Sequence, residues 1–512
     1  MKKFFAIAAI CAALFASCVK QDEMSGEKME NISLKAWMKK HHPELLGNYQ
    51  ELDNPDTDAK ETMGEFYIDV IEWGDMLTPS NGNDLGGEPI MNQDTCWIYY
   101  NYTGRDLTGN VCVTRTEDIA RMQNTYLDVT HYVPYGIYCG IDNYYGLVEG
   151  TYLAGRHKIK LDEKYVADKG FPSTEFLLRK GSKVRLYLPS RVGFGATGSD
   201  AEGGYEGQFV LDANRPVIMD IEVMRVFKNP SDCELDMVET LVKESNVRAG
   251  SDIWKKIVKD EDDEKLESEE GKTDGTFTGL YYTTDYKPGD ERTALGYMQP
   301  HKDGTNNPYK DSDRYADMST LNADIAKILN DKFADMTLEE GAEPKAVGEK
   351  TTVNVWYVGT FLDGFVFDTN IPEVKEYLFG SKSGKAISYN AENDKDDYIS
   401  AWYRCIPLMH FGKWGAIITT SGYGYGADGK VGDTSTVAYP AYAYFYNYSN
   451  AYYYNDYYGY PVDYYGGMSG GNIGSSDGED DGSSEDEART EIMAYTPLIF
   501  YVFIEQNEVN ED

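Results

Sequence analysis

Two strings in the sequence have the form that cradles a dinucleotide, Gly193-Phe194-Gly195-Ala196-Thr197-Gly198 and Gly424-Tyr425-Gly426-Ala427-Asp428-Gly429. That chemistry needs a helix to open on the last glycine, so that its N-terminus meets the pyrophosphate. Loop sequences follow instead, Ser199-Asp-Ala-Glu-Gly-Gly and Lys430-Val-Gly-Asp, which argues against a nucleotide. Metal chemistry fares no better. With Cys11 and Cys18 set aside, Cys96, Cys112, Cys139, Cys233 and Cys405 are odd in number, widely spread and free of C-x-x-C spacing. They read as small buried hydrophobes, with one disulfide permitted but not indicated. His41 and His42 are adjacent, so on a helix they point to different faces. Residues 260–270 carry eight acids and one Lys but lack the loop Gly and terminal Glu of a calcium-binding EF-hand. No metal and no cofactor is expected.

The whole chain bounds the partners. Its 86 acidic and 48 basic side chains give −38, and Lys and Arg are scattered, so nucleic acid is excluded as a partner. A hydrophobic content of 41% over 512 residues is enough for a sizeable core and for several domains. Tyr outnumbers Phe and Trp, 43 against 19 and 7, which suits pocket-lining or adhesive surface better than dry core. At the start, Lys2 and Lys3 precede an apolar run at residues 4–16, the length of a secretory h-region and too short to span a bilayer. Export is therefore expected. Leu14-Phe15-Ala16-Ser17-Cys18 resembles a bacterial lipobox, which implies loss of residues 1–17 and lipidation of Cys18. The following Lys20-Gln21-Asp22-Glu23 resembles the signal that sends Bacteroidota lipoproteins to the outer face of the outer membrane.

The elements that would position a site appear twice. Tyr102-x-Gly104-x-x-Leu107-x-Gly109 matches Tyr357-x-Gly359-x-x-Leu362-x-Gly364, each after an alternating aromatic run that reads as a strand. The two glycine blocks follow in the same order, each behind a strand, at 183–188 and 414–419. An apolar strand beginning at a proline closes each half, at 216–226 and 497–504. Three ordered blocks with unequal spacing read as one architecture with different loop insertions. Residues 33–46 read as a short helix capped by Ser33.

The second half is similar to the FKBP-type peptidyl-prolyl isomerases over residues 276–506. The resemblance lies in Tyr357-Val358-Gly359, Asp363-Gly364-x-x-Phe367-Asp368, Tyr398-Ile399-x-x-Trp402, Gly424-Tyr425-Gly426 and Leu498-Ile499-Phe500. It implies an α+β fold of two FKBP-like domains, each a curled antiparallel sheet of about five strands around a short helix, with long loop insertions. It also implies a proline pocket. Trp402 would floor it, Tyr357, Phe367 and Phe500 would wall it, Ile399 would present its backbone N–H, and Tyr425 would hydrogen-bond the substrate. Asp368 would stand near the twisting carbonyl, and a buried Asp beside Phe is costly unless it has work or a partner. Tyr398 stands where the family carries a small aliphatic and would narrow the cup. The loop after Gly429 swells into a Tyr-rich insertion at about 431–490.

In the first half, Thr108-Gly109-x-x-Cys112-Val113 replaces the Asp-containing motif, Phe194 replaces the loop Tyr and Met219 the final Phe. Phe171 is expected at the position of the Trp. The expected order is thus a signal peptide (1–17), a lipidated tether with a short helix (18–62), a degenerate FKBP-like domain (63–228), an acidic linker (229–275) and an FKBP-like domain (276–506). The function implied is isomerisation of proline-containing exported polypeptides by a lipid-anchored protein at the outer membrane. The alternative is a noncatalytic surface lipoprotein that binds protein or glycan through Tyr-rich loops.

Overall fold

The computed structural model describes residues 26–53, 62–127, 129–140, 148–195, 198–199, 210–258, 279–290, 293, 314–395, 397–427, 429–430 and 490–506. The expected signal peptide, Cys18, the acidic run at 260–270 and residues 431–489 of the Tyr-rich insertion lie outside these. Helix α1 (Gly26–His41) leads into strands β1 (Tyr49–Asp53), β2 (Thr62–Trp73), β3 (Thr95–Arg105) and β4 (Val111–Thr114). Helix α2 (Glu117–Met122), strand β5 (Tyr135–Gly140), helix α3 (Glu149–Arg156), strand β6 (Ile159–Lys160), helix α4 (Glu163–Lys169) and strand β7 (Glu175–Phe176) follow. Strands β8 (Ser182–Leu188) and β9 (Val217–Phe227) complete the series. The second series runs α5 (Pro230–Ala249), β10 (Lys255–Lys256), β11 (Tyr281–Thr283), α6 (Arg314–Phe333), β12 (Val353–Phe361) and β13 (Val366–Thr369). It ends with α7 (Pro372–Phe379), β14 (Ile387–Tyr389), α8 (Ser400–Cys405), β15 (Lys413–Thr419) and β16 (Leu498–Ile504).

The two main sheets have the same strand order. One runs β1-β2-β8-β9-β3-β4 with β5 on β3, and the other β10-β11-β15-β16-β12-β13 with β14 on β12. Every pairing is antiparallel. Each sheet holds seven described strands, two more than expected; one of the two is a short edge strand that follows the preceding helix and joins β2 in one sheet and β11 in the other.

What differs is how many faces each sheet buries. Along β9, Val217, Met219, Ile221 and Val223 enter the core, while Asp220 and Glu222 face out to pair with Arg105, Arg185 and Lys183. Along β16 the alternation disappears. Leu498, Phe500, Val502 and Ile504 pack on the face that carries α8, whereas Ile499 and Phe503 pack on the opposite face against Val238 of α5 and Phe333 of α6. A strand covered on both sides needs apolar residues at successive positions. Each large side chain buried this way contributes roughly 1.5–3 kcal/mol.

Three expectations are corrected. The first helix spans Gly26–His41, with Ser33 exposed in its interior, and Pro43 opens a separate 3-10 turn, so the helix does not start at Ser33. Residues 229–275 are not all linker. Asn229 accepts from the Ser231 N–H (3.0 Å), Pro230 occupies the first turn, and Gly250 takes the left-handed conformation (φ 70°) that ends α5. Nor does the first folded unit begin at residue 63, since Leu34, Met38 and Leu45 already belong to its core.

Candidate active site

Strand β12 carries Tyr357 and is hydrogen-bonded in register between β16 on one side and β13 on the other. Its backbone is fixed from both sides. The Tyr357 N–H donates to Asn370 Oδ1 (2.8 Å), and the Thr369 hydroxyl donates to the Tyr357 carbonyl (2.6 Å). Asn370 in turn donates to the carbonyls of Val355 (2.9 Å) and Lys385 (3.0 Å). The phenol is thereby aimed at Asp368, to which it donates at 2.6 Å. Burial, then the Asp368 charge, pushes the Tyr357 phenol far above its ordinary range, so it stays a donor at any physiological pH. One residue in the wall must be glycine. A Cβ on Gly359 would lie 2.6 Å from Phe367 Cζ, because the Phe367 ring rests on that backbone.

Around this pair the aromatic rings meet edge to face. Trp402 of α8 meets Tyr357 at 5.4 Å and Phe500 at 6.2 Å between centroids, and Phe367 meets Phe500 at 5.8 Å. Ile399 caps α8, its carbonyl accepting the Trp402 N–H (2.9 Å). Tyr425 lies in the turn after β15. Burial first, and then Asp368, raise its phenol, and its hydroxyl is buried with no hydrogen-bond partner among the described residues. The Trp402 indole N–H is likewise buried without one. Two orphaned donors in an aromatic cluster beside a carboxylate are what an incoming carbonyl oxygen could satisfy. Tyr357, Phe367, Asp368, Ile399, Trp402, Tyr425 and Phe500 are thus brought together.

The structure adds Tyr389 and His131 to the residues read from the sequence. Tyr389 of β14 meets Trp402 edge-on at 5.6 Å, and Tyr398 lies parallel to Trp402, 5.2 Å away with the planes 3° apart. Tyr398 therefore covers a face of the indole, which is fully buried. The deeply buried carboxylate is Asp363 rather than Asp368, which is half-buried. Asp363 meets His131 Nε2 at 2.6 Å, and the His131 ring stacks on Phe361 at 4.3 Å, so a first-half residue braces the β12–β13 turn. No local pattern in the sequence could have announced so distant a partner.

The first half keeps the frame without the site. Met219 pairs with Gly104 as Phe500 pairs with Gly359, and Phe194 is buried in the turn after β8. Phe171 is not on the core helix. It follows α4 and packs on Trp73, 5.1 Å away, while α3 takes the place between β5 and β8 that α8 takes between β14 and β15. Gly150 lets α3 lie close to β8, since a Cβ there would meet Leu188 at 2.4 Å. Beside Tyr102 and Tyr135, Arg115 is buried and pairs with Glu491 at 3.4 Å, and Thr490 donates to the Val129 carbonyl at 2.7 Å. The chain just beyond the Tyr-rich insertion therefore docks on the first half. Both glycine strings end in left-handed glycines, Gly198 and Gly429, at matching places. The N–H groups of the following Ser199 and Lys430 bond to Leu211 and Ile492, so the insertion is the longer form of one loop. No helix opens on either string among the described residues.

Residues 343–445, about a fifth of the chain, match the family model of the FKBP-type peptidyl-prolyl cis-trans isomerases. This stretch is an FKBP-type domain. The match takes in all the named site residues except Phe500. Among solved structures, the three FKBP domains of wheat FKBP73 align at 12% identity over 86% of this chain and 94% of that one, with a TM-score of 0.20. FkpA from Escherichia coli aligns at 13% identity over 44% and 71%, with a TM-score of 0.21. A peptidyl-prolyl cis-trans isomerase from Pseudomonas syringae pv. tomato aligns at 17% over 40% and 94%, with a TM-score of 0.19. A comparison with curated proteins finds no match. The domain assignment rests on the family model and the sheet topology. Among the described residues the FKBP-type domain brings together no group of His, Cys, Asp or Glu able to hold a metal ion, and no helix is long and apolar enough to cross a membrane.

Proposed function

We propose that the FKBP-type domain is a peptidyl-prolyl cis-trans isomerase acting on proline-containing exported polypeptides, carried by a chain tethered to the outer membrane through a lipid on Cys18. The observation that carries the isomerase reading is the Tyr357–Asp368 hydrogen bond (2.6 Å) set among Phe367, Trp402 and Phe500. Rotation about an X–Pro bond must break partial double-bond character, a barrier of about 18–20 kcal/mol, and takes tens of seconds or more unaided. Water favours the planar, charge-separated amide. A dry aromatic cup favours the twisted form, in which the nitrogen lone pair no longer feeds the carbonyl. In this reading the cup receives the proline ring, the Tyr425 hydroxyl donates to a substrate carbonyl, and Asp368, bonded to Tyr357, faces the rotating group. Shape and exclusion of water do the chemistry, and no cofactor takes part.

The first half serves as scaffold in this reading, supported by its loss of the Asp and the loop Tyr and by the docking of Glu491 on Arg115. The second reading is a surface lipoprotein that uses the same scaffold without turnover to grip protein or glycan. The Tyr398 ring over Trp402 favours it. The two separate in a protease-coupled isomerisation assay on the full chain. Catalysis that falls at least tenfold in Asp368→Val and drops in Tyr425→Phe supports the enzyme, and absence of catalysis in a folded wild type overturns it.

A further inference from the structure

The turn that carries Tyr425 is held by a carboxylate from outside the matched domain. Glu234, in the first turns of α5, is buried and accepts from both the Ser421 N–H (2.5 Å) and the Ser421 hydroxyl (2.7 Å). The Ser421 carbonyl then accepts from the N–H groups of Gly424 and Gly426, each at 2.8 Å. Tyr425 thus sits between two amides anchored to the one serine that Glu234 grips. Gly426 is fixed from the far side as well, its carbonyl accepting the Tyr495 N–H at 3.0 Å.

The same chain of contacts occurs in the first half. Glu30 of α1 accepts from the Ser190 N–H (2.6 Å) and hydroxyl, and the Ser190 carbonyl accepts from Gly193 (2.9 Å) and Gly195 (2.7 Å), which flank Phe194. The helices also match in sequence pattern. Glu30, Leu34 and Met38 have the spacing of Glu234, Val238 and Val242, and both apolar pairs are buried. The latch is therefore built into the repeated unit, which begins at the helix.

Holding the latch is costly. Burial pushes the Glu234 carboxyl up to about 7 in spite of its two bonds to Ser421, so the site tolerates a desolvated acid in order to fix one serine. We infer that Glu234 is a positioning residue for Tyr425, acting through Ser421, Gly424 and Gly426 to hold the phenol in the aromatic cup, and that α5 belongs to the isomerase unit. The inference rests on the isomerase reading above. In the first half the corresponding latch holds Phe194, which has no hydroxyl to aim, and so provides an internal control.

The test is a double-mutant cycle in the full chain. Glu234→Ala and Ser421→Ala are each made alone and in a Tyr425→Phe background, with Glu30→Ala as the control, and kcat/KM for a proline peptide is measured. A hydrogen bond to a charged group warrants an effect of about tenfold for Glu234→Ala when Tyr425 is present and less than about twofold in the Tyr425→Phe background. Ser421→Ala should lose less, again only with Tyr425 present, and Glu30→Ala should leave kcat/KM unchanged. Equal losses in both backgrounds, or none, overturn the inference. If Glu234→Ala does not fold, Ser421→Ala decides by the same criterion. A folded wild type without isomerase activity overturns the functional reading alone, and the latch is then judged by amide hydrogen exchange. Faster exchange at Gly424 and Gly426 in the Glu234 or Ser421 variant supports it, and unchanged exchange overturns it.

Discussion

Replacing Tyr398 with valine is the perturbation whose direction is least obvious. The Tyr398 ring lies parallel to Trp402 at 5.2 Å, whereas Tyr357, Tyr389 and Phe500 meet the same indole with their planes steeply inclined to it. A proline ring that packs on the covered face must first displace Tyr398, which is half-buried and has solvent to move into. An aromatic pair of this kind is worth roughly 0.5–1.5 kcal/mol beyond its burial. At 1.4 kcal/mol per decade, that closure lowers the apparent affinity for proline by about twofold to about twelvefold. Tyr398→Val removes the cover and leaves the Tyr357–Asp368 pair intact. The expected result is a rise of that size in kcat/KM for a short proline peptide, most of it in KM, with the melting temperature slightly lowered. A fold-competent Tyr398→Val protein whose kcat/KM is unchanged or reduced would refute the idea that Tyr398 obstructs the cup.

Other consequences are simpler. Gly359→Ala places a methyl 2.6 Å from Phe367 Cζ, so the ring must shift; a loss of about 1–3 kcal/mol in urea unfolding and several-fold lower activity are expected, and an unchanged protein would show that the wall yields freely. Arg115→Met removes the cation that faces the buried Glu491 carboxylate, and a cost of about 3–5 kcal/mol is expected in denaturant melts; Arg115→Met combined with Glu491→Leu should recover most of it. Burial raises Glu234 from 4.5 to about 7 and Glu149 from 4.5 to about 8, opposed by Ser421 bonds and by Arg191 respectively. The folded state therefore binds these protons more tightly than the unfolded chain. Their contribution is complete below about pH 4.5 and is lost as pH rises through about 7 and 8, at most about 3 kcal/mol for Glu234. Urea midpoints between pH 5 and pH 8 check this, with a shallower slope expected in Glu234→Gln.

The sequence carried the frame of the site because the frame is local. Tyr357, Gly359, Phe367 and Asp368 lie within one hairpin, and period-2 patterning separates a one-sided strand such as β9 from a two-sided one such as β16. What stayed hidden was whatever needed a distant contact. Helix α5 was passed over because acidic composition dominates the region around it, although Asn229-Pro230 at its start and Gly250 at its end are ordinary helix boundaries. The bracing of Asp363 by His131 joins residues 232 positions apart, and no periodicity reports that. The expectation for Phe171 fails because α4 and the β6–β7 pair stand between the core helix α3 and β8, and Phe171 follows α4. Asp368 was expected to be buried on the strength of its neighbour Phe367, but the strand turns it toward Tyr357 at the rim of the cluster.

As a proposed isomerase, the protein must turn over prolyl bonds at the cup around Trp402. Exchange NMR on a labelled proline peptide with a substoichiometric amount of the full chain measures that interconversion without a coupling enzyme. Cis–trans exchange cross-peaks are expected with the wild type and should vanish with Asp368→Val. A peptide that binds, broadening its resonances, while its cis and trans forms stay in slow exchange would contradict the proposal.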